Sequence, residues 1–215
     1  MRQSGPSAAP CISSLAWPAR AVISVAHCPP LVGLTRAGEE GPFTETLWRL
    51  PKTYFCVASP AGRPVSALPA LANGHVTFGN FNNLAKSSEP AIGVWARILQ
   101  AVPNRRLMLR ARQVAEPAMR GQIQARFADR GIESDRLILK GHSDGRGAYL
   151  DDYSQVDIGL DPFPYPWVTT SIEGLWMGVH VIARAGDRFL SRLGESVAQD
   201  LEQAFWAVHC ARSKT

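Results

Sequence analysis

The chain has 215 residues, 46% of them hydrophobic and 19% charged, the balance of a folded globular domain rather than of a disordered or fibrous chain. A formal net charge of +5 suits an anionic ligand such as a nucleotide diphosphate. No dense Lys/Arg run and no interleaved aromatic platform directs it toward nucleic acid. The four cysteines, Cys11, Cys28, Cys56 and Cys210, form no C-x-x-C pair, and the five histidines stand at no metal-ligand spacing. Neither a disulfide framework nor a structural metal is expected, and a reduced, cytoplasmic setting is.

Residues 1–73 are rich in Pro, Ala, Gly and Ser and carry little periodicity. Arg2 and the Ala-rich text that follows imitate a signal peptide, but Pro10, Pro18, Pro29 and Pro30 break the apolar stretch, so no signal and no membrane span is expected. Phe43–Pro51 suggests one short helical turn and Tyr54–Val57 a short strand. Residues 58–73, with Pro60, Gly62, Pro64 and Pro69, read as a linker.

From His75 the pattern alternates. Val76–Gly79 is a strand candidate, followed by a helix over Glu89–Val102 with Ile92, Trp95, Leu99 and Val102 on one face. Leu107–Leu109 is a short buried strand, and Pro117–Arg130 a polar surface helix that Gly131 stops. Leu137–Leu139 is a third strand, Ala148–Ser154 a short helix, and Val156–Leu160 a fourth strand. Thr169–Gly178 is a helix with Ile172, Leu175 and Trp176 facing inward; Val179–Ala183 is a fifth strand, and Ser191–Cys210 a last helix. Strands of this length alternating with helices define an α/β fold, a Rossmann-like doubly wound parallel sheet.

Ligands of such sheets bind beyond the carboxyl ends of the strands. After the first strand comes Phe81-Asn-Asn-Leu-Ala-Lys86, with two amides and a cation. After the fourth comes Asp161-Pro-Phe-Pro-Tyr-Pro-Trp-Val168, leading into Thr169, Thr170 and Ser171 at a helix start. The free N–H groups and dipole of that helix favour a phosphate, and a diphosphate fits between it and Lys86. Glu173, one turn on, is placed to accept ribose hydroxyls. Plainer alternatives stand beside these: Thr169 or Ser171 as an N-cap, Glu173 as a complement to the dipole, Lys86 as a solvated lysine. Asp157 reads as structural and Asp161 as a loop cap.

The segments His75–Lys86, Val156–Tyr165, Thr169–Gly178, Phe43–Phe55 and Ser191–Ser196 together resemble, in order and spacing, the catalytic region of the O-GlcNAc transferase (SPINDLY-like) family. The resemblance implies the C-terminal lobe of a GT-B glycosyltransferase, an inverting hexosyltransferase. It would use UDP-N-acetylglucosamine and transfer the sugar to Ser/Thr hydroxyls of protein acceptors, with no metal and no other cofactor. Carried over by position, Lys86 contacts the diphosphate and is the catalytic group, Asn83 approaches the phosphates, Thr169 and Thr170 hold the pyrophosphate, and Glu173 holds the ribose. A family histidine that meets uracil is replaced by Tyr149. Pro166-Trp167-Val168 stand where the family has small residues, so Trp167 and Val168 are expected to crowd the pyrophosphate. His180 stands where a proline is usual.

The resemblance implies an organisation of an irregular segment 1–73, linker-like from residue 43, a nucleotide-sugar-binding lobe over 74–196, and a short helical tail over 197–215. The family's N-terminal lobe and tetratricopeptide repeats have no counterpart in these residues, so the chain is expected to hold one half of a two-lobed site. Two other readings remain open: a non-catalytic UDP-binding or interaction module, and a decayed gene fragment.

Overall fold

A computed structural model describes residues 63–141 and 145–200, three short strands at Ser24–Ala26, Trp48–Leu50 and Ala207–His209, and the isolated residues Gly38 and Thr44. The chain divides into two compact units, Met1–Ser59 and Pro60–Thr215. In the first, β1 (Ser24–Ala26) pairs in parallel with β2 (Trp48–Leu50), Val25 opposite Arg49. The helical turn expected over Phe43–Pro51 is therefore wrong over Trp48–Leu50. Trp48 and Leu50 alternate with Arg49 at the period of a strand, and pairing with β1 outweighs the weak helical signal. The strand expected at Tyr54–Val57 lies outside the described residues.

The second unit is a parallel sheet built from β3 (Thr77–Asn80), β4 (Arg106–Arg110), β5 (Leu137–Lys140), β6 (Ile158–Leu160), β7 (His180–Ala185) and β8 (Ala207–His209). Their spatial order is β5-β4-β3-β6-β7-β8. Counted from the first strand of this unit the order is 3-2-1-4-5-6, that of a dinucleotide-type doubly wound sheet. The chain reverses its direction of travel across the sheet between β3 and β6, which pair through Phe78 opposite Ile158 and Gly79 opposite Gly159.

Alternation along β4 shows how both faces are covered. Leu107 and Leu109 join α2 (Glu89–Ala101) and α3 (Pro117–Ala128) in one apolar core around Trp95, Ile123 and Phe127. Met108, between them, belongs to a second core with Phe81, Leu150, Tyr153 and Met177. That second face carries α4 (Gly145–Asp151) and α5 (Val168–Trp176). Ser88 starts α2, accepting from the Ala91 N–H at 3.3 Å, and its hydroxyl donates to the Phe163 carbonyl at 2.7 Å. The loop after β6 is thereby fastened to α2. Asp157 is structural: its two oxygens accept from the N–H groups of Ala70 and Thr77, both at 2.8 Å. The first of these bonds holds a short helix, α1 (Pro69–Asn73), within the stretch read as linker.

Two expectations are corrected here. On α5 the buried residues are Ser171, Glu173 and Gly174, whereas Trp176, expected inward, is 46% exposed. Polar bonds, and the flat approach of Gly174 to Tyr153 and Val181, set the inner face of this helix in place of hydrophobicity. The last helix also stops early: α6 covers Leu193–Asp200, and Ala207–His209 is an edge strand on β7. An unpaired β7 edge offers backbone partners that a continued helix would leave unused.

Gly79 and Gly159, opposite each other across β3 and β6 at the switch point, let the side chains of Val156 and Val181 close down on the sheet. A Cβ on Gly79 would lie 2.7 Å from both Val156 methyl carbons. Gly79→Ala is therefore expected to destabilise the fold by about 1–3 kcal/mol through overpacking, measurable as a lower urea midpoint at unchanged slope.

Candidate functional site

The crevice at the carboxyl ends of β3 and β6 is built by a chain of polar contacts. Asn80, the last residue of β3, donates its amide to the Leu160 carbonyl at 2.7 Å and accepts from the Asn82 N–H at 3.2 Å. Asn82 is buried; its oxygen accepts from the Thr170 hydroxyl at 3.2 Å, and its amide nitrogen lies 3.5 Å from an Asp161 oxygen. Asp161, just past β6, accepts from the Ser171 hydroxyl at 2.9 Å and from the Trp167 N–H at 3.4 Å. It thus caps the loop, as expected of it, without reaching the N–H groups of the first turn of α5. Its burial pushes the carboxyl up from an ordinary 3.8 to about 7, against the lowering effect of these donors and of Lys86.

A cavity lined by Gly79, Phe81, Asn82, Tyr153, Thr170 and Ser171 encloses about 20 Å³, room for about one water. Helix α5 begins at Val168 after Trp167, and no side chain caps it. Its first-turn N–H groups point to an anion site.

Lys86 ends a 3-10 turn, Leu84–Lys86, directly after the β3 loop. Its ammonium is buried and has no hydrogen-bond partner among the described residues. It lies 3.3 Å from the centre of the Trp167 ring and 4.3 Å from that of Tyr165. Loss of water lowers the pKa of Lys86, with the charge of Asp161 acting the other way. The cation expected near the start of α5 is thus in contact with the residue that precedes that helix. The crowding expected from Trp167 is also present, as a ring lying on the cation.

Thr170 faces the crevice through Asn82, while Thr169 is exposed on the first turn of α5. Glu173, one turn on, is buried and accepts from Arg146 at 3.1 Å. Burial raises its pKa, opposed by the Arg146 charge and a hydrogen bond from Tyr149. Tyr149, on α4, stands edge-on to Phe81 and Tyr153, which stack on each other at 3.9 Å. The Arg110 guanidinium lies 4.4 Å from the centre of the Tyr149 ring. Burial pushes the Tyr149 hydroxyl up to about 12, so it stays protonated and able to donate.

Asn83 is exposed, and its side-chain oxygen accepts from the Ala85 N–H at 2.9 Å and from the Gln113 amide at 2.5 Å. The side-chain amide that turns into the crevice is that of Asn82, which sequence reasoning did not single out; Arg146 was missed as well. His180, on β7, is exposed. Among the described residues no group of three or more His, Cys, Asp or Glu side chains is placed to hold a metal ion, and no helix is long and apolar enough to cross a membrane.

A parallel sheet in 3-2-1-4-5-6 order, with a lysine-bearing loop after its first strand and an uncapped helix start after its fourth, defines a Rossmann-like, doubly wound α/β lobe. The chain belongs to glycosyl transferase family 41, whose sequence profile matches residues 63–204. It is 42% identical over 159 residues to the probable UDP-N-acetylglucosamine–peptide N-acetylglucosaminyltransferase SPINDLY of Arabidopsis thaliana, covering 71% of this chain and 17% of that protein. The corresponding protein of Hordeum vulgare is 40% identical over 154 residues, covering 71% and 16%. A solved structure of a Thermobaculum terrenum O-GlcNAc transferase mutant superimposes with a TM-score of 0.73 at 30% identity, covering 81% of this chain and 33% of that one. The fold is accordingly the Rossmann-like C-terminal lobe of a GT-B glycosyltransferase. The chain spans about a sixth of the length of these plant relatives.

Proposed function

We propose that this lobe binds UDP-N-acetylglucosamine and serves, within a two-lobed enzyme, the transfer of N-acetylglucosamine to Ser/Thr hydroxyls of protein acceptors in the cytoplasm. The observation that carries the reading is the Lys86 ammonium, buried without a hydrogen-bond acceptor at the uncapped start of α5. A diphosphate supplies the acceptor oxygens that the ammonium and the first-turn N–H groups lack. Lys86 and α5 hold the diphosphate, and Thr169 and Thr170 add hydroxyl donors. Glu173 takes the ribose hydroxyls and Tyr149 the uracil. Glu173 already has a cation, Arg146, that keeps its carboxylate available as an acceptor.

In transfer, UDP leaves as the sugar bond breaks, and negative charge grows on the diphosphate. Lys86 and the α5 terminus are fixed where that charge develops. The reading assigns this stabilisation to them and needs no metal. A second reading, nucleotide binding without transfer, is favoured by the Trp167 ring on Lys86: a cation covered by a ring is less able to follow charge growing on a leaving diphosphate. UDP at about a hundred times its Kd is expected to raise the melting temperature by roughly 5–10 °C. No shift at millimolar UDP would remove the basis for both readings. A shift without hydrolysis or transfer of UDP-N-acetylglucosamine favours the second.

A further inference from the structure

We propose that Trp167, with Tyr165 also against Lys86, is a cap: its ring covers the Lys86 ammonium, and a nucleotide diphosphate binds by displacing it. This rests on the donor-binding reading above and adds a residue to it.

The two rings offer the ammonium attraction but no lone pair. An ammonium carries three donors, and an aromatic face satisfies the charge without accepting their hydrogen bonds in full. Asp161 is near enough to act on Lys86 electrostatically, yet it spends its oxygens on Ser171, Trp167 and Asn82. The cation is therefore held by rings that a phosphate can outcompete.

The cap is also built to move at its side chain alone. The Trp167 N–H donates to Asp161, and its carbonyl lies within hydrogen-bond reach of the Thr170 and Ser171 hydroxyls, at 3.1 and 2.9 Å. Pro162, Pro164 and Pro166 stiffen the loop around it. The backbone is pinned, while the Trp167 and Tyr165 side chains are 43% and 39% exposed and turn without opening a core.

Closed caps reduce apparent affinity by the fraction of molecules that are open. Removing the Trp167 ring should therefore tighten nucleotide binding by about tenfold, the scale set by a partly desolvated cation–π contact. Trp167→Gly suits the test, because glycine is tolerated at a helix N-cap and Trp167 contributes no side-chain cap to lose.

UDP is titrated calorimetrically into the full chain, Trp167→Gly, Lys86→Ala and the double variant. In parallel, acylation of Lys86 by an amine reagent is followed by peptide mass spectrometry. Trp167→Phe, which keeps a ring over the lysine, is the control, and Trp167→Ala takes the place of the glycine variant if that does not fold. The expected result is tighter binding in Trp167→Gly, no such gain when Lys86→Ala is added, faster acylation of Lys86 in Trp167→Gly, and wild-type-like weak binding in Trp167→Phe. Unchanged or weaker UDP binding by Trp167→Gly overturns the proposal, as does a gain that survives the loss of Lys86. Unchanged acylation shows that no cap exists. Faster acylation with no UDP bound by any variant keeps the cap and sinks the donor reading, together with the displacement step.

Discussion

Lys86→Ala is expected to weaken UDP binding by about 10- to 100-fold while leaving the unliganded chain close to its original stability. The two halves of this expectation have different causes. In the complex, the ammonium would make charge-assisted hydrogen bonds to phosphate, each contributing roughly 1.5–3 kcal/mol. Without ligand it makes none, and burial acts against its charge. What alanine forfeits in the free chain is the contact with the Trp167 and Tyr165 rings, of the order of 1–2 kcal/mol. What it relieves is the desolvation of a cation, which acts in the opposite direction. Calorimetric titration and urea denaturation on the same preparations separate the halves. A variant that binds UDP normally would show that the phosphates sit elsewhere. One that unfolds would make Lys86 a structural residue, with the aromatic contact as its purpose.

Asn83, by contrast, is exposed and turned to its own 3-10 turn, and the two residues mark how far the amino-acid sequence disclosed the site. Two adjacent amides and a lysine after a strand point to the crevice, and right-handed crossovers bring that loop beside the strand ending at Leu160. The meeting of Lys86 with the start of α5 is therefore legible in the text of the chain. Which amide turns inward is not. It depends on how the backbone enters the 3-10 turn at Leu84, where Asn83 caps the turn with its own side chain and Asn82 is left to bridge Thr170 and Asp161. The inner face of α5 was illegible for a related reason. Periodicity weighs Trp176 as apolar and hence buried, whereas Ser171 is drawn inward by Asp161, ten residues earlier in the chain. Long-range ion pairs leave even less trace. Asp152 joins Arg110 at 3.2 Å and Lys140 at 2.5 Å, linking β4 and β5 to the end of α4, and nothing local to any of the three announces it.

The largest pH effect should come from Asp161. Its carboxyl is fully buried and raised from 3.8 to about 7 in the folded chain, chiefly by loss of water, with the Ser171, Trp167 and Asn82 donors and the Lys86 charge opposing. A carboxyl raised in the folded state binds its proton more tightly there than in the unfolded chain. Its contribution to stability is therefore complete below about pH 4, falls as pH rises toward 7, and changes no further above that. At about 1.4 kcal/mol per pH unit, the whole window amounts to at most ~4 kcal/mol. Asp161→Asn keeps one carbonyl oxygen for the Trp167 N–H and turns an amide NH2 toward the Ser171 hydroxyl, which then accepts instead of donating; it has no proton to lose in this range. Urea denaturation of both proteins at pH 5 and pH 7.5 isolates the effect, because every other titrating group is shared and cancels in the difference. Wild-type stability relative to the variant should drop by roughly 2–3 kcal/mol between the two pH values, less than the full window because pH 5 already lies inside it. An equal gap at both would mean that Asp161 is ionised throughout. The negative charge would then be a permanent neighbour of Lys86, and a phosphate entering the crevice would meet a carboxylate as well as a cation.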